Sequence, residues 1–293
     1  MRQGARHQRQ RLWTPLARRA GRARTLWHAA RLLLPAVIAG GLMALPAMAR
    51  SLCIAADGAH IRKVCLGELP DAPTYGHAVL GDTPEWDVVT VIWGREGKAA
   101  AKAAGKLASG SAAKGLSSLS QAGHIFEDIA PRLVDLDGDG RDEIILVQSS
   151  FDSGARLIAL STKGGLSLLA ATDYIGRPRR WLAPLGAADL DGDGRMEIAY
   201  VETPHLGKRL KVVRLKGARL VPVAMAAGLT NHRIGDAFIQ GGIALCDGQP
   251  TVITADAGWR RIIGTTLSKG TLLPRDLGPY AGPESLKPSA HCR

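Results

Sequence analysis

The first 49 residues contain neither an acidic residue nor a lysine, although they hold nine arginines. That stretch carries most of the basicity. The formal net charge is +12, and setting those arginines aside leaves 29 basic against 26 acidic groups. A body so nearly balanced has no broad positive field, so no nucleic-acid partner is expected. The chain also lacks a G-x-S-x-G elbow, a glycine-rich phosphate loop and an H-E-x-x-H pair, the usual marks of a serine hydrolase, an NTPase and a zinc protease. His60, His77, His124, His205, His232 and His291 follow no metal-ligand spacing. No sustained helical period runs through the chain. Short β-rich segments divided by glycine turns argue for an all-β fold.

The basic start is followed by the apolar run Leu32–Ala47 and by Ala47-Met48-Ala49, the parts of a signal peptide with cleavage expected after Ala49. An uncleaved anchor is the competing reading, weakened by Pro35, Gly40, Gly41 and Pro46. A periplasmic or secreted protein with no stable membrane span after cleavage is therefore expected. Arg18-Arg19 lacks an apolar continuation, so the export route stays open between general and twin-arginine secretion. All four cysteines lie beyond Ala49, and an even count suits an oxidising compartment. The short segment containing Asp57-Gly58 suggests a Cys53–Cys65 pair, leaving Cys246–Cys292 to tie down the tail.

Two peptides are nearly identical, DLDGDGRDEI from Asp135 and DLDGDGRMEI from Asp189. Each is followed by an apolar run, a turn, a second run, a Lys-Gly pair and a third run. The Lys-Gly pairs begin at Lys163, Lys216 and Lys269. A third unit has Cys246-Asp247-Gly248 in place of the acidic loop, and an earlier one is placed at Asp82, 53 residues before Asp135. Units of about 54 residues with about four strands each predict a β-propeller of about four to five blades. The expected organisation is a signal peptide over 1–49, an N-terminal hairpin over 50–72 and a propeller over 73–293. Its blades fall near 73–130, 131–183, 184–240 and 241–278, with a low-complexity insertion at 97–123 and a tail at 279–293.

Within each loop the acidic side chains at positions 1, 3, 5 and 9 are Asp135, Asp137, Asp139 and Glu143, then Asp189, Asp191, Asp193 and Glu197. Converging carboxylates repel one another unless a cation sits among them. An all-oxygen set, completed by the carbonyls of Arg141 and Arg195 at position 7, suits Ca²⁺, and two sites are expected. An EF-hand would need a glutamate at position 12, where Leu146 and Tyr200 stand.

These peptides resemble FG-GAP or VCBS repeats, the calcium-loop blades of integrin α-chain propellers and of many exported bacterial proteins. The wider run, including VLGDTPEW, FEDIAPRL and GLTNHRIGDAFIQGG, resembles a group of alphaproteobacterial periplasmic proteins of this type. The resemblance implies ligand roles for the eight acidic residues named above. It carries no ligands to Cys246 or to GDTPEWD, which depart from the pattern. The resulting expectation is a monomeric, non-catalytic binding or scaffold module for a protein or glycan of the cell envelope. The alternative is a calcium-dependent, phospholipase-like hydrolase using His232 with Asn231, Arg233 and Asp236. Trp86, Trp181 and Trp259 are expected as wedges between blades.

Overall fold

The computed structural model describes residues 50–56, 58–105 and 115–291. The expected signal peptide and Cys292 lie outside the described residues. Within them the chain is all-β, with one α-helix, and no helix is long and apolar enough to cross a membrane.

The first sheet runs in the order β1 (Ser51–Ala55), β2 (Ile61–Gly67), β3 (Val88–Trp93) and β4 (Leu116–Leu119). Cys53 stands opposite Cys65 across β1 and β2, and the two are disulfide-bonded. The boundary expected at residues 72 and 73 is crossed by strand pairing, with Leu66 opposite Val89. Val64, Leu66, Val89 and Val91 form one buried face, and this burial makes the hairpin part of the first unit. Asp82, matched to Asp135 by spacing, instead lies between β2 and β3. Buried strands in this chain share one apolar pattern, so a third strand was matched to a second.

The segment read from sequence as a low-complexity insertion, residues 97–123, carries secondary structure among its described residues. Helix α1 (Arg95–Ala103) covers its start and β4 lies within it. Gly97 and Ala101, one helical turn apart, are the buried residues of α1. A Cβ at Gly97 would lie 2.2 Å from the carbonyl oxygen of His60, so only glycine permits this approach.

The second unit comprises β5 (His124–Phe126), β6 (Arg132–Val134), β7 (Glu143–Ser150), β8 (Gly154–Ser161) and β9 (Ser167–Ala171). The third comprises β10 (Leu182–Ala188), β11 (Glu197–Glu202), β12 (Arg209–Lys216) and β13 (Arg219–Ala227). The two units share a sheet only through a parallel contact of Arg219 with Ala171. The last unit contains β14 (Leu229–Thr230), β15 (Gly242–Cys246), β16 (Gln249–Asp256), β17 (Arg261–Ser268) and β18 (Thr271–Pro279). Cys246 is disulfide-bonded.

The inner strands of the second and third units are buried on both faces. In β7, Ile144 and Leu146 pack with Val64, Leu66 and Val89 of the first unit, whereas Ile145 and Val147 pack with Leu182, Ile198 and Tyr200 of the third. In β11, Ile198 and Tyr200 face the second unit, and Ala199 and Val201 face Val252 and Leu267 of the fourth. Strict alternation between two apolar partners explains why these strands read as continuous hydrophobic runs. The outer face of the last unit, Ile253, Ala255 and Ile262, is covered by Leu286 of the tail.

The acidic loop of the repeat is reduced to a two-residue turn in the last unit. Cys246 pairs with Gln249, and Asp247 and Gly248 have φ of 51° and 77°. Positive φ at both central positions is the geometry of a type I′ turn, which Asp-Gly favours.

Candidate metal loops

The first loop joins β6 to β7 and the second joins β10 to β11, at the same place in each unit. Their backbones are wound around the leading aspartate. Asp135 accepts hydrogen bonds from the N–H groups of Gly138 (2.8 Å), Asp139 (3.1 Å) and Gly140 (2.9 Å). Asp189 accepts from Gly192 (2.8 Å), Asp193 (3.0 Å) and Gly194 (2.9 Å). The four loop glycines all have positive φ, which lets consecutive amides turn toward one carboxylate. Glu143 closes the first loop by accepting from the N–H of Leu136 at 3.0 Å, and Glu197 closes the second by accepting from Leu190 at 2.8 Å. Leu136 and Leu190 are themselves buried, anchoring each loop to the core.

Of the residues expected as ligands, three in each loop come together: Asp135, Asp137 and Glu143, and Asp189, Asp191 and Glu197, with one oxygen from each within 4.8 Å of the others. Asp139 and Asp193 are not in these groups. Asp139 meets Lys163 at 3.1 Å and Arg141 at 3.3 Å, whereas Asp193 meets Arg214 at 2.9 Å and Arg195 at 3.7 Å. Arg141 and Arg195, expected to offer carbonyl oxygens, thus place their guanidinium groups on the loop's position-5 aspartate.

The electrostatics of the loops differ. Among the described residues no lysine or arginine pairs with Asp135, Asp137 or Glu143. Burial pushes the Glu143 carboxyl up to about 7, and the charges of Asp137, Asp139 and Asp135 add to that rise. In the second loop Arg214 contacts Asp191 at 3.0 Å and also binds Glu197. Burial raises Glu197 as well, but Arg214 opposes the rise.

The polar cluster around His232 takes a different form from the expected one. His232 is buried and meets His205 at 2.9 Å, while its other ring nitrogen meets the main-chain carbonyl of Asp236 at 2.9 Å rather than its carboxylate. A carbonyl only accepts, so Nε2 of His232 carries the proton and Nδ1 accepts from Nε2–H of His205. Burial lowers the pKa of both rings, and His205 falls to about 4. Arg233 lies over Trp259 at 4.5 Å, and Asn231 donates to the carbonyl of Ala183. Trp86 and Trp181 are buried, whereas Trp259 is half-buried against Tyr280.

Two buried acids were not singled out by the sequence reading. Asp128 accepts from the N–H groups of Ile129 and Val147 and pairs with Arg132 at 2.9 Å. Glu127 accepts from Ser149 and meets His77 at 2.8 Å. Both follow β5 directly, and their adjacency in FEDIAPRL was the available signal.

Residues 135–200, which contain both acidic loops, match the FG-GAP-like repeat. The chain thus contains an FG-GAP-like repeat. No curated protein is significantly similar to it in sequence. Three solved structures are similar in part. The exotype rhamnogalacturonan lyase YesX is 17% identical at a TM-score of 0.36, over 52% of this chain and 33% of the enzyme. A rhamnogalacturonan lyase PL11 of Bacillus licheniformis is 18% identical at 0.36, over 58% and 37%. The rhamnogalacturonan lyase YesW is 14% identical at 0.35, over 81% and 53%. The chain therefore spans about a third to a half of the length of these enzymes, and likeness at this level carries no argument about activity.

The ion implied by FG-GAP repeats can be tested against each donor set. In the first loop three carboxylates converge without a cation from the described residues, a hard-oxygen set that fits Ca²⁺. In the second loop Asp191 and Glu197 already hold a guanidinium.

Proposed function

We propose that this protein, with its FG-GAP-like repeat, is an exported, calcium-stabilised β-propeller of about four to five four-stranded blades, acting as a non-catalytic binding or scaffold module for a protein or glycan of the cell envelope. The observation that carries the calcium reading is the first loop, where Asp135, Asp137 and Glu143 converge on one point with no lysine or arginine of the described residues among them. When bound, the ion would supply the positive charge that this set lacks. Asp135 organises the loop backbone, Asp137 brings the next carboxylate to the point, and Glu143 fastens the loop to the start of β7. Asp139 is turned away to Lys163 and serves to brace the loop.

The four units stacked through shared apolar faces support the propeller reading, and the Cys53–Cys65 bridge supports export into an oxidising compartment. A presented surface supports the binding role: the segment between β14 and β15 leaves Ile234 and Phe238 exposed. The geometry at His232 does not favour the hydrolase alternative, because its ring meets the main-chain carbonyl of Asp236 rather than its carboxylate.

The test is thermal unfolding of the exported protein in EDTA and in millimolar Ca²⁺. Extracellular modules bind Ca²⁺ with dissociation constants of roughly 10⁻⁴–10⁻³ M. At a hundredfold excess over that constant one site stabilises by about 2.7 kcal/mol. Calcium should raise the melting temperature, Mg²⁺ should substitute poorly, and Asp137→Ala should remove the gain. Identical melting in EDTA and calcium would leave the first loop a solvated turn.

A further inference from the structure

We infer that the two loops are closed by different cations, Ca²⁺ in the first and the guanidinium of Arg214 in the second, so that the chain takes up one Ca²⁺ rather than two. The first half of this statement rests on the calcium reading above, and the second half stands on the ion pairs of Arg214.

One position distinguishes the loops. Across β11 and β12, Glu197 stands directly opposite Arg214. Across β7 and β8, Ile144 stands opposite Leu160, so the next pair outward is Glu143 and Ser161. The repeats are otherwise in register here, with a Lys-Gly pair two residues further on in each, Lys163-Gly164 and Lys216-Gly217. Ser161 in one copy is therefore Arg214 in the other.

The consequence is chemical. The fork of Arg214 reaches Asp191 at 3.0 Å and Asp193 at 2.9 Å while also holding Glu197, and its side chain is only 17% exposed. A planar guanidinium satisfies several carboxylates at once through directed N–H donors. It takes up lone pairs on two of the three second-loop carboxylates that converge, Asp191 and Glu197. A divalent ion entering there would compete for those oxygens and repel the guanidinium, which is held against a fully buried glutamate. Ser161 carries no charge, and its hydroxyl accepts from the N–H of Lys163 at 3.1 Å. Among the described residues the cation nearest at hand in the first loop, Lys163, binds Asp139 and leaves the other three carboxylates to an ion from solution.

The experiment is isothermal titration of the exported protein, freed of metal with EDTA, with CaCl₂. Expected results are one Ca²⁺ per chain for the wild type, two for Arg214→Ser, and an affinity at least tenfold weaker for Ser161→Arg. Two sites in the wild type would overturn the inference and leave the calcium reading standing. One site in both the wild type and folded Arg214→Ser would also overturn it. No uptake by the wild type would overturn the calcium reading itself. If Arg214→Ser fails to fold, two further variants decide: Asp137→Ala should abolish uptake and Asp191→Ala should leave it at one. Uptake lost with Asp191→Ala and kept with Asp137→Ala would contradict the inference.

Discussion

The indole N–H of Trp181 donates to the main-chain carbonyl of Glu127, 54 residues earlier, at 2.9 Å. The bond joins the start of the third unit to the start of the second in a place without solvent. Trp181→Phe keeps most of the apolar contact but leaves that carbonyl without its donor. An unsatisfied buried group costs about 1–3 kcal/mol. Urea denaturation should show a loss of this size, with little change in far-ultraviolet circular dichroism.

Asp128 is fully buried and holds Arg132 together with the N–H groups of Ile129 and Val147. Removing one partner of such a pair strands the other, at about 3–5 kcal/mol when both are buried. Arg132 retains some solvent contact, so Asp128→Ala should cost about 3 kcal/mol, read as a lower midpoint in chemical denaturation. Asp173, exposed and paired with Arg219, is the control. Asp173→Ala should stay within about 0.5 kcal/mol of the wild type.

His205 is held neutral, its pKa lowered from 6.5 to about 4 by burial and by the neighbouring His232, His77 and Lys208. The unfolded chain binds this proton more readily than the folded one, so the folded state loses stability as pH falls from about 6.5 to about 4. His232 is lowered in the same direction. Melting followed across that window should show an acid slope that flattens in His205→Phe. An unchanged slope would assign the acid loss to other groups.

Two glycines with similar φ should differ sharply on substitution. Gly248 has φ of 77°, and an added Cβ would meet nothing within 4 Å, so Gly248→Ala should cost only the left-handed strain of about 1–2 kcal/mol. Gly154 has φ of 73°, but its Cβ would lie 2.1 Å from the carbonyl oxygen of Arg177. Gly154→Ala should therefore be the more damaging, a ranking that thermal shift measurements resolve directly.

The repeat was legible because burial on both faces writes the same apolar runs beside the same loop. Ile144 to Val147 and Ile198 to Val201 look alike since each strand lies between two other sheets. That uniformity also misled the reading of Asp82, because VVTVIW, a third strand, reads as any other. The roles of the acids were less legible. DLDGDGR placed Asp139 and Asp193 in the ligand set by spacing, but their partners, Lys163 and Arg214, come from the far side of the hairpin. Local spacing does not contain a contact made across 21 or 24 residues. Asp128 was missed for the same reason, since Val147 reaches it from the next strand.

The most direct measurement is a crystal structure of the exported protein grown in millimolar Ca²⁺, with anomalous differences used to locate the ion. The account predicts one peak among the oxygens of Asp135, Asp137 and Glu143, at about 2.3–2.6 Å from its ligands, and the guanidinium of Arg214 still seated among Asp191, Asp193 and Glu197. A first loop without an ion would contradict it.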